Sequence, residues 1–125
     1  MNDVSPVTAP IERIAPGPRM TQISIHGGET IYLAGQVAKT TVGASVQAQT
    51  AEILANIDTH LATAGSGKDR ILSAQILLTD MATFDEMNAA WDAWVVPGQA
   101  PGRACYQTAL NRPGLDVEII IVAAR

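Results

Sequence analysis

Residues 116–124 read Asp-Val-Glu-Ile-Ile-Ile-Val-Ala-Ala, and this segment carries the strongest information about the fold. Its Val and Ile side chains favour a β-strand, in which successive side chains point to opposite faces of the sheet. Both faces are apolar here except at Glu118, which shares a face with Ile120 and Val122. A strand that is apolar on both faces has to be covered on both, so this one needs a packing partner on each side.

Further strands are predicted before, between and after two helices. Residues 20–26 and 29–36 are rich in β-forming residues and flank Gly27-Gly28, a pair that tolerates the positive φ angles of a tight turn. They are therefore predicted to form a β-hairpin. Residues 70–79 and 103–110 are predicted as two more strands, followed by a loop before the final strand.

Two amphipathic helices are predicted between these strands. In the first, Ser45 is a candidate N-cap and Gly65 ends the helix. In the second, Thr83 and Glu86 have the spacing of a capping box, and Pro97 stops the helix. The apolar stripes are Ala51, Leu54, Ile57 and Leu61 in the first helix, and Phe84, Met87, Trp91 and Trp94 or Val95 in the second. We interpret the second stripe as ordinary core.

This order of elements predicts an α+β fold, with one sheet and two helices on one of its faces. Residues 11–125 are expected to form a single domain, preceded by a flexible tail over residues 1–10, which lack an apolar period. Two helices cover only one face of a sheet, so the other apolar face of the final strand needs another partner. Self-association is the simplest source of that partner, and we expect an oligomer.

The composition excludes several classes of function. The chain has 47% apolar and 16% charged residues, which is ordinary for a globular protein, and its formal net charge is −4. Its eight Lys and Arg residues are scattered singly, which argues against binding to nucleic acid. No apolar run approaches the roughly 20 residues of a membrane span. A cytoplasmic protein is expected, and the single cysteine, Cys105, agrees with a reducing compartment.

Glu118 is the first candidate for chemistry. A carboxylate in an apolar strand pays a desolvation cost unless a cation, hydrogen bonds or water offset it. Such a carboxylate is suited to act as a general base or to position a water molecule. The alternative is a carboxylate at a strand end that reaches solvent.

Arg103 is the second candidate, because it opens a strand after Pro101-Gly102 and its guanidinium fork suits a carboxylate. The alternatives are a surface arginine or a structural salt bridge. A simple hairpin would pair Glu118 with about residue 108, leaving Arg103 about 16 Å along the strand. A meeting of Arg103 and Glu118 therefore requires a different topology or a neighbouring chain.

The remaining candidates are weaker. Cys105 shares a face with Arg103, but no histidine lies nearby in sequence, and an inert buried thiol is the favoured interpretation. His26 and His60 lack metal-ligand spacing and are interpreted as structural or exposed. Asn88 lies at the edge of the second apolar stripe, where it can face solvent, a loop or a cleft.

Several segments together resemble the reactive-intermediate deaminase family, also called RidA or YjgF-like and formerly "endoribonuclease L-PSP". The resemblance extends from Ile11 to Ala124, and its most specific part is Arg103 led by a proline, with Cys105 two residues later and Glu118 fifteen residues later. The matching segments are Gly17-Pro18 with Gln22, residues 33–36 (Leu-Ala-Gly-Gln), Gln49-Thr50, Phe84 with Asn88, residues 101–105 (Pro-Gly-Arg-Ala-Cys) and residues 117–119 (Val-Glu-Ile).

The resemblance implies a chorismate-mutase-like fold, a last strand inside the sheet, and a homotrimer with clefts between subunits. It also implies hydrolysis of 2-imino acids, or their enamine tautomers, to 2-oxo acids and ammonia, without metal or organic cofactor. In that scheme Arg103 holds the substrate carboxylate and Glu118 positions or deprotonates the attacking water. The backbone around Gly35 and Cys105 orients the imine, and Asn88 helps to shape the site.

Two positions depart from the usual pattern of this family and place the chain in a Gly-Pro-Arg-Met branch. Arg19 stands where tyrosine is usual, and Ala34 where serine is usual; the loop over residues 37–44 also looks shorter. An added guanidinium suggests a preference for acidic substrates, although a merely exposed arginine is the alternative. Two other functions are compatible with the resemblance: a non-catalytic trimer that binds small carboxylates or partner proteins, and a ribonuclease, which the acidic charge argues against.

Overall fold

The apolar stretch near the C-terminal end forms an interior strand of a seven-stranded mixed sheet in the computed structural model, which describes residues 8–125. The strands are Ile11–Pro16 (β1), Thr21–His26 (β2), Thr30–Leu33 (β3), Gln36–Val37 (β4), Ile71–Leu78 (β5), Gly102–Gln107 (β6) and Val117–Ala124 (β7). The helices are Val46–Thr63 (α1) and Phe84–Trp94 (α2), with short 3-10 turns at Lys68–Arg70 and Met81–Thr83. The prediction of one mixed sheet with two helices is confirmed.

The strand order is β1-β2-β3-β7-β5-β6, with β4 also paired to β7. Strand β6 runs parallel to β5 at the edge of the sheet, whereas β7 runs antiparallel to β5 on the other side. The connection between β6 and β7 therefore crosses the end of β5. Two hydrogen bonds tie it there, from Thr108 N to Leu78 O at 3.0 Å and from Thr79 N to Asp116 O at 3.1 Å. The last two strands do not form a hairpin.

One face of β7 is sealed by the helices. Its residues Val117, Ile119, Ile121 and Ala123 are fully buried, and they join a core with the apolar stripes of α1 and α2. The alternate residues of β7, including Glu118 and Ile120, are only half-buried. The two faces of an apolar strand thus differ because the helices supply packing to one of them alone.

The ends of α1 match the sequence prediction, and the start of α2 does not. The Ser45 side chain accepts a hydrogen bond from Ala48 N, and Gly65 follows the helix with a φ of +81°. At α2 the predicted capping box is wrong, because Thr83 makes no side-chain cap. Asp80 takes that role one turn earlier, where its carboxylate accepts from Ala82 N at 2.9 Å and starts the 3-10 turn.

The predicted hairpin is confirmed as β2 and β3, with positive φ at both Gly27 and Gly28. Strand β1 was not predicted; it pairs with β2 and adds an edge to the sheet. Strand β6 ends at Gln107, three residues before the predicted end. Residues 1–7 of the predicted tail lie outside the described residues. Within residues 8–125, neither helix has the length and apolarity needed to cross a membrane.

Candidate functional site

Glu118 lies directly against Gly35. A Cβ placed on Gly35 would be 2.9 Å from both the carboxyl carbon and Oε1 of Glu118, so the Glu118 side chain would have to shift to admit it. The approach follows from sheet pairing, because β4 begins one residue after Gly35 and pairs Val37 with Glu118. Glycine at position 35 therefore leaves room for the carboxylate of Glu118 beside the β3–β4 connection, and any larger residue there would displace the end of the Glu118 side chain.

The backbone beside Gly35 is held by two glutamines. Gln36, which is only 3% exposed, donates from Nε2 to Gln22 Oε1 at 3.0 Å and to Ala34 O at 2.9 Å. Ala34 N in turn donates to Gln22 O at 2.9 Å. Exposed Arg19 lies in the β1–β2 turn, and this turn is at the same end of the sheet as Ala34 and Gly35. The sequence motif at residues 33–36 includes Gln36, but it does not reveal that the buried amide of this residue orders this end of the sheet.

Arg103 is surrounded by uncharged groups from α2. Its Nη1 donates to Asn88 Oδ1 at 2.7 Å and lies 3.8 Å from the sulfur of Met87. Its guanidinium carbon lies 5.4 Å from the ring centroid of Trp91 and 5.7 Å from that of Phe84, within the range of cation–π attraction. None of these partners carries a charge.

The four residues that meet Arg103 have the spacing i, i+3, i+4 and i+7, so they form one face of α2. The sequence interpretation of this stripe as ordinary core is therefore incomplete. Met87 and Trp91 are buried, and they also contact the guanidinium. The only sequence signal for this dual role was the single polar residue, Asn88, in an otherwise apolar stripe.

Arg103 and Glu118 lie on opposite faces of the sheet within one chain. In the register of β5, Ala74 is opposite Arg103 and Leu77 is opposite Glu118. Positions three residues apart on a strand face opposite sides. With two strand spacings between them as well, their Cα atoms are about 14 Å apart. A single chain does not bring the two side chains to one substrate.

Cys105 lies on the helix face with Arg103, opposite the buried Ile76. Its burial raises the pKa of the thiol, and the nearby Arg103 offsets this only in part. A thiol with a raised pKa is a weak nucleophile at neutral pH. This agrees with the interpretation that Cys105 contributes through its backbone.

The loop after β4 is held by a carboxylate from α1. Glu52 accepts hydrogen bonds from the backbone N–H groups of Lys39, Thr40 and Thr41 at 3.0 to 3.2 Å, and from Thr41 Oγ1 at 2.6 Å. These donors, with the Thr41 hydroxyl as the strongest, lower the pKa of Glu52 to about 2. The loop over residues 37–44 looks shorter than is usual in the family that the sequence resembles, and Glu52 is the side chain that orders it.

A cavity of about 590 Å³ lies beneath the crossing between β6 and β7. Its walls include Thr79, Arg112 and Asp116. The carboxylate of Asp116 is engaged by Thr79 Oγ1 at 2.8 Å and by the buried Gln49. Among residues 8–125, no three His, Cys, Asp or Glu side chains lie close enough to hold a metal ion.

Comparison with known proteins agrees with this architecture. The family model described as Endoribonuclease L-PSP matches residues 11–125. The chain is 43% identical over 113 residues to a RutC family protein from Haemophilus influenzae, across 90% of this chain and 97% of that protein. It is 45% identical over 114 residues to the RutC family protein YoaB from Escherichia coli, across 91% and 97%. The chain belongs to the RidA/YjgF family.

A solved structure of a RidA/YjgF relative supports the fold in detail. A YjgF family protein from Neisseria meningitidis matches with a TM-score of 0.89 at 40% identity, across 93% of this chain and 95% of that one. Family membership confirms the resemblance drawn from the motifs around residues 33–36, 101–105 and 117–119. In this RidA/YjgF chain those motifs form two separate groups, one around Glu118 and Gly35 and one around Arg103.

Proposed function

We propose that this protein hydrolyses 2-imino carboxylic acids, or their enamine tautomers, to 2-oxo acids and ammonia. The observation that carries the proposal is the environment of Arg103. An exposed guanidinium whose partners are an amide oxygen, a thioether and two aromatic rings retains its full charge for an anion. The carboxylate of a 2-imino acid is such an anion.

Hydrolysis requires water to add to the carbon of the C=N bond and the C–N bond then to break. Glu118 accepts a proton from the attacking water and passes it to the imine nitrogen, which gives a carbinolamine. Glu118 then takes the hydroxyl proton of the carbinolamine and passes it to the amino group, so that the C–N bond breaks, ammonia leaves and the 2-oxo acid remains. Arg103 holds the substrate carboxylate during both steps. The backbone at Gly35 and Cys105 orients the imine, with Ala34 beside it, and Asn88 shapes the pocket around Arg103.

The opposite placement of Arg103 and Glu118 supports a site built from two copies of the chain. The sheet face that carries Glu118 also presents Tyr32 and Tyr106, which are 50% and 45% exposed. This face has the apolar character that a second copy covers in an oligomer. We therefore propose a homotrimer with substrate clefts between subunits, in which Arg103 of one copy faces Glu118 of another.

The direct test is hydrolysis of 2-iminopropanoate produced in solution by an amino-acid oxidase acting on alanine. Semicarbazide converts the free imine to a semicarbazone, so a slower build-up of the semicarbazone when the protein is present measures the deaminase. Wild-type protein should hydrolyse the imine, and Arg103→Ala and Glu118→Ala should each lower the rate by about 100-fold or more. Activity that is unaffected by Arg103→Ala would overturn the site.

A second candidate is a non-catalytic trimer that binds small carboxylates, and the neutral surroundings of Arg103 favour it equally well. Substitution of Glu118 distinguishes the two functions, because hydrolysis needs this carboxylate and carboxylate binding does not. If the protein binds 2-oxo acids, shows no imine hydrolysis, and Glu118→Ala binds them as wild type does, the binding function is the correct one.

A further inference from the structure

We propose that Asn88, Phe84 and Trp91 form a neutral clamp on Arg103, which orients the guanidinium without cancelling its charge. Asn88 is then a positioning residue that sets the affinity for the ligand carboxylate. The inference deepens the proposed function, since it assumes that Arg103 binds a carboxylate. It does not require that the bound molecule be hydrolysed.

The amide at position 88 supports a neutral contact with Arg103, because the same helix carries carboxylates at neighbouring positions that do not face Arg103. Helix α2 carries Asp85 and Asp92, each one residue along from a clamp residue, and both are exposed. One residue corresponds to about 100° around a helix, so these carboxylates point away from the stripe. The residue that reaches Arg103 is the uncharged Asn88, whose oxygen accepts at 2.7 Å. An aspartate there would form an ion pair and neutralise the guanidinium.

The aromatic rings add restraint and also leave the charge in place. Trp91 is 5% exposed and Met87 is fully buried, so the side chains on which the guanidinium lies belong to the core and are themselves closed to solvent. A cation over an aromatic face is attracted by the ring quadrupole, and no counter-charge is involved. Two rings and one hydrogen bond thus fix the plane of Arg103.

The hydrogen bond also selects which edge of Arg103 meets the ligand. Both polar contacts to α2 use Nη1. The edge formed by Nε and Nη2 carries two parallel N–H donors, which match the two oxygens of a carboxylate. We infer that the ligand carboxylate binds side-on at this edge, in the plane that the rings define.

The test compares two substitutions at position 88 in the full-length protein. Calorimetric titration with 2-oxobutanoate measures carboxylate affinity without any turnover. In Asn88→Ala the guanidinium of Arg103 loses the hydrogen bond that orients it but keeps its free charge. In Asn88→Asp the side chain at position 88 keeps its shape, but its carboxylate neutralises the charge of Arg103. We expect Asn88→Asp to raise the Kd by about tenfold or more, and to raise it more than Asn88→Ala does.

A purely structural role for Asn88 predicts the reverse order, because aspartate is nearly isosteric with asparagine and alanine is not. The reverse order, or wild-type affinity in Asn88→Asp, overturns the clamp. So does a wild-type protein that does not bind 2-oxobutanoate. Asn56→Asp is the matched control, since it adds the same charge on α1, and its Kd should stay within about twofold of wild type.

A second variant covers the case in which Asn88→Asp does not fold. Phe84 is half-buried, and Phe84→Leu removes the ring face while keeping an apolar side chain. It should raise the Kd several-fold and, where imine hydrolysis is measured, raise KM with little change in kcat. If Asn88→Asp raises the Kd more than Asn88→Ala does and the protein shows no imine hydrolysis, the deaminase function is refuted and the clamp stands. If the protein hydrolyses imines but the two variants do not differ in this order, the clamp alone is refuted.

Discussion

Gly35 and Glu118 approach so closely that a Cβ on Gly35 would be 2.9 Å from Oε1 of Glu118. Gly35→Ala should therefore displace the carboxylate, which is the far end of a flexible side chain, rather than unfold the protein. We expect imine hydrolysis to fall by about tenfold or more, because small misplacements of catalytic groups are costly. The midpoint of thermal unfolding should change by only a few degrees.

The control for this substitution is a double variant. In a Glu118→Ala background the added methyl group has no carboxylate to displace, so Gly35→Ala should cause little further loss. Full activity in Gly35→Ala alone, or an equal loss in both backgrounds, would show that the contact does not govern the reaction.

Arg103 and Glu118 lie on opposite faces of one chain, and this predicts complementation between impaired variants. Arg103→Ala and Glu118→Ala proteins should each lose about 100-fold or more in rate, but refolding them together should restore part of the activity. In the proposed oligomer, a mixture of the two variants would contain some clefts in which one copy supplies an intact Arg103 and another an intact Glu118. Native mass spectrometry would establish that the chains have mixed. Mixed oligomers without activity would contradict a site shared between copies.

Cys105 should behave as a slowly reacting thiol. Burial raises its pKa, so little thiolate is present at neutral pH, and alkylation by iodoacetamide at pH 7 should be slower than that of free cysteine. The rate should rise as the pH rises towards the thiol pKa. Cys105→Ser should keep imine hydrolysis within about threefold, because the proposed contribution is made by the backbone. Abolished activity in Cys105→Ser would point to the sulfur itself.

Glu52 should stabilise the protein in a pH-dependent manner. Its folded pKa of about 2 lies below the ordinary value of 4.5, so its contribution is fully present above pH 4.5 and is lost as the pH falls towards 2. Glu52→Gln should lower stability at pH 7 by about 1–3 kcal/mol, towards the lower end because the carboxylate is partly solvated. Denaturant unfolding at pH 7 and at pH 2.5 measures this difference.

The loss caused by Glu52→Gln should shrink at pH 2.5, because this pH lies well below the ordinary pKa of 4.5 and the carboxyl of the unfolded chain then holds a proton that folding has to remove. The same change at exposed Glu86 is the control, and it should alter stability by less than about 0.5 kcal/mol. A pH-independent loss in Glu52→Gln would mean that side-chain packing, rather than the charged hydrogen bonds, holds the loop over residues 39–41.

Arg19 lies in the turn at the Gly35 end of the sheet, and the sequence suggests that it favours acidic substrates. Arg19→Ala should then reduce hydrolysis of the imine derived from aspartate more than that of the imine derived from alanine. The ratio of the two kcat/KM values, measured with the matching amino-acid oxidases, is the readout. Equal losses on both substrates, or none, would assign Arg19 to the exposed surface.

Much of the local structure could be read from the sequence, because its causes are local. Ser45 caps α1 through its own side chain, Gly27-Gly28 supplies the turn of the β2–β3 hairpin, and the spacing of apolar residues defines both helices. The exception at Thr83 is instructive. Asp80 accepts a hydrogen bond from Ala82 N and begins the 3-10 turn that leads into α2, so the side-chain cap is at Asp80 and not at Thr83. Both residues have suitable spacing in the sequence, and spacing alone does not show which of them forms the cap.

The class of fold, the family and the unusual position of Glu118 are all readable from the amino-acid sequence, since each rests on patterns within short segments. The position of Arg103 depends instead on how the strands pair. Strand β6 pairs in parallel with β5 instead of folding back on β7, which puts Arg103 and Glu118 on opposite faces and brings Asn88 to the guanidinium. Strand pairing joins residues far apart in the chain, and its outcome depends on the packing of the whole core rather than on any one segment.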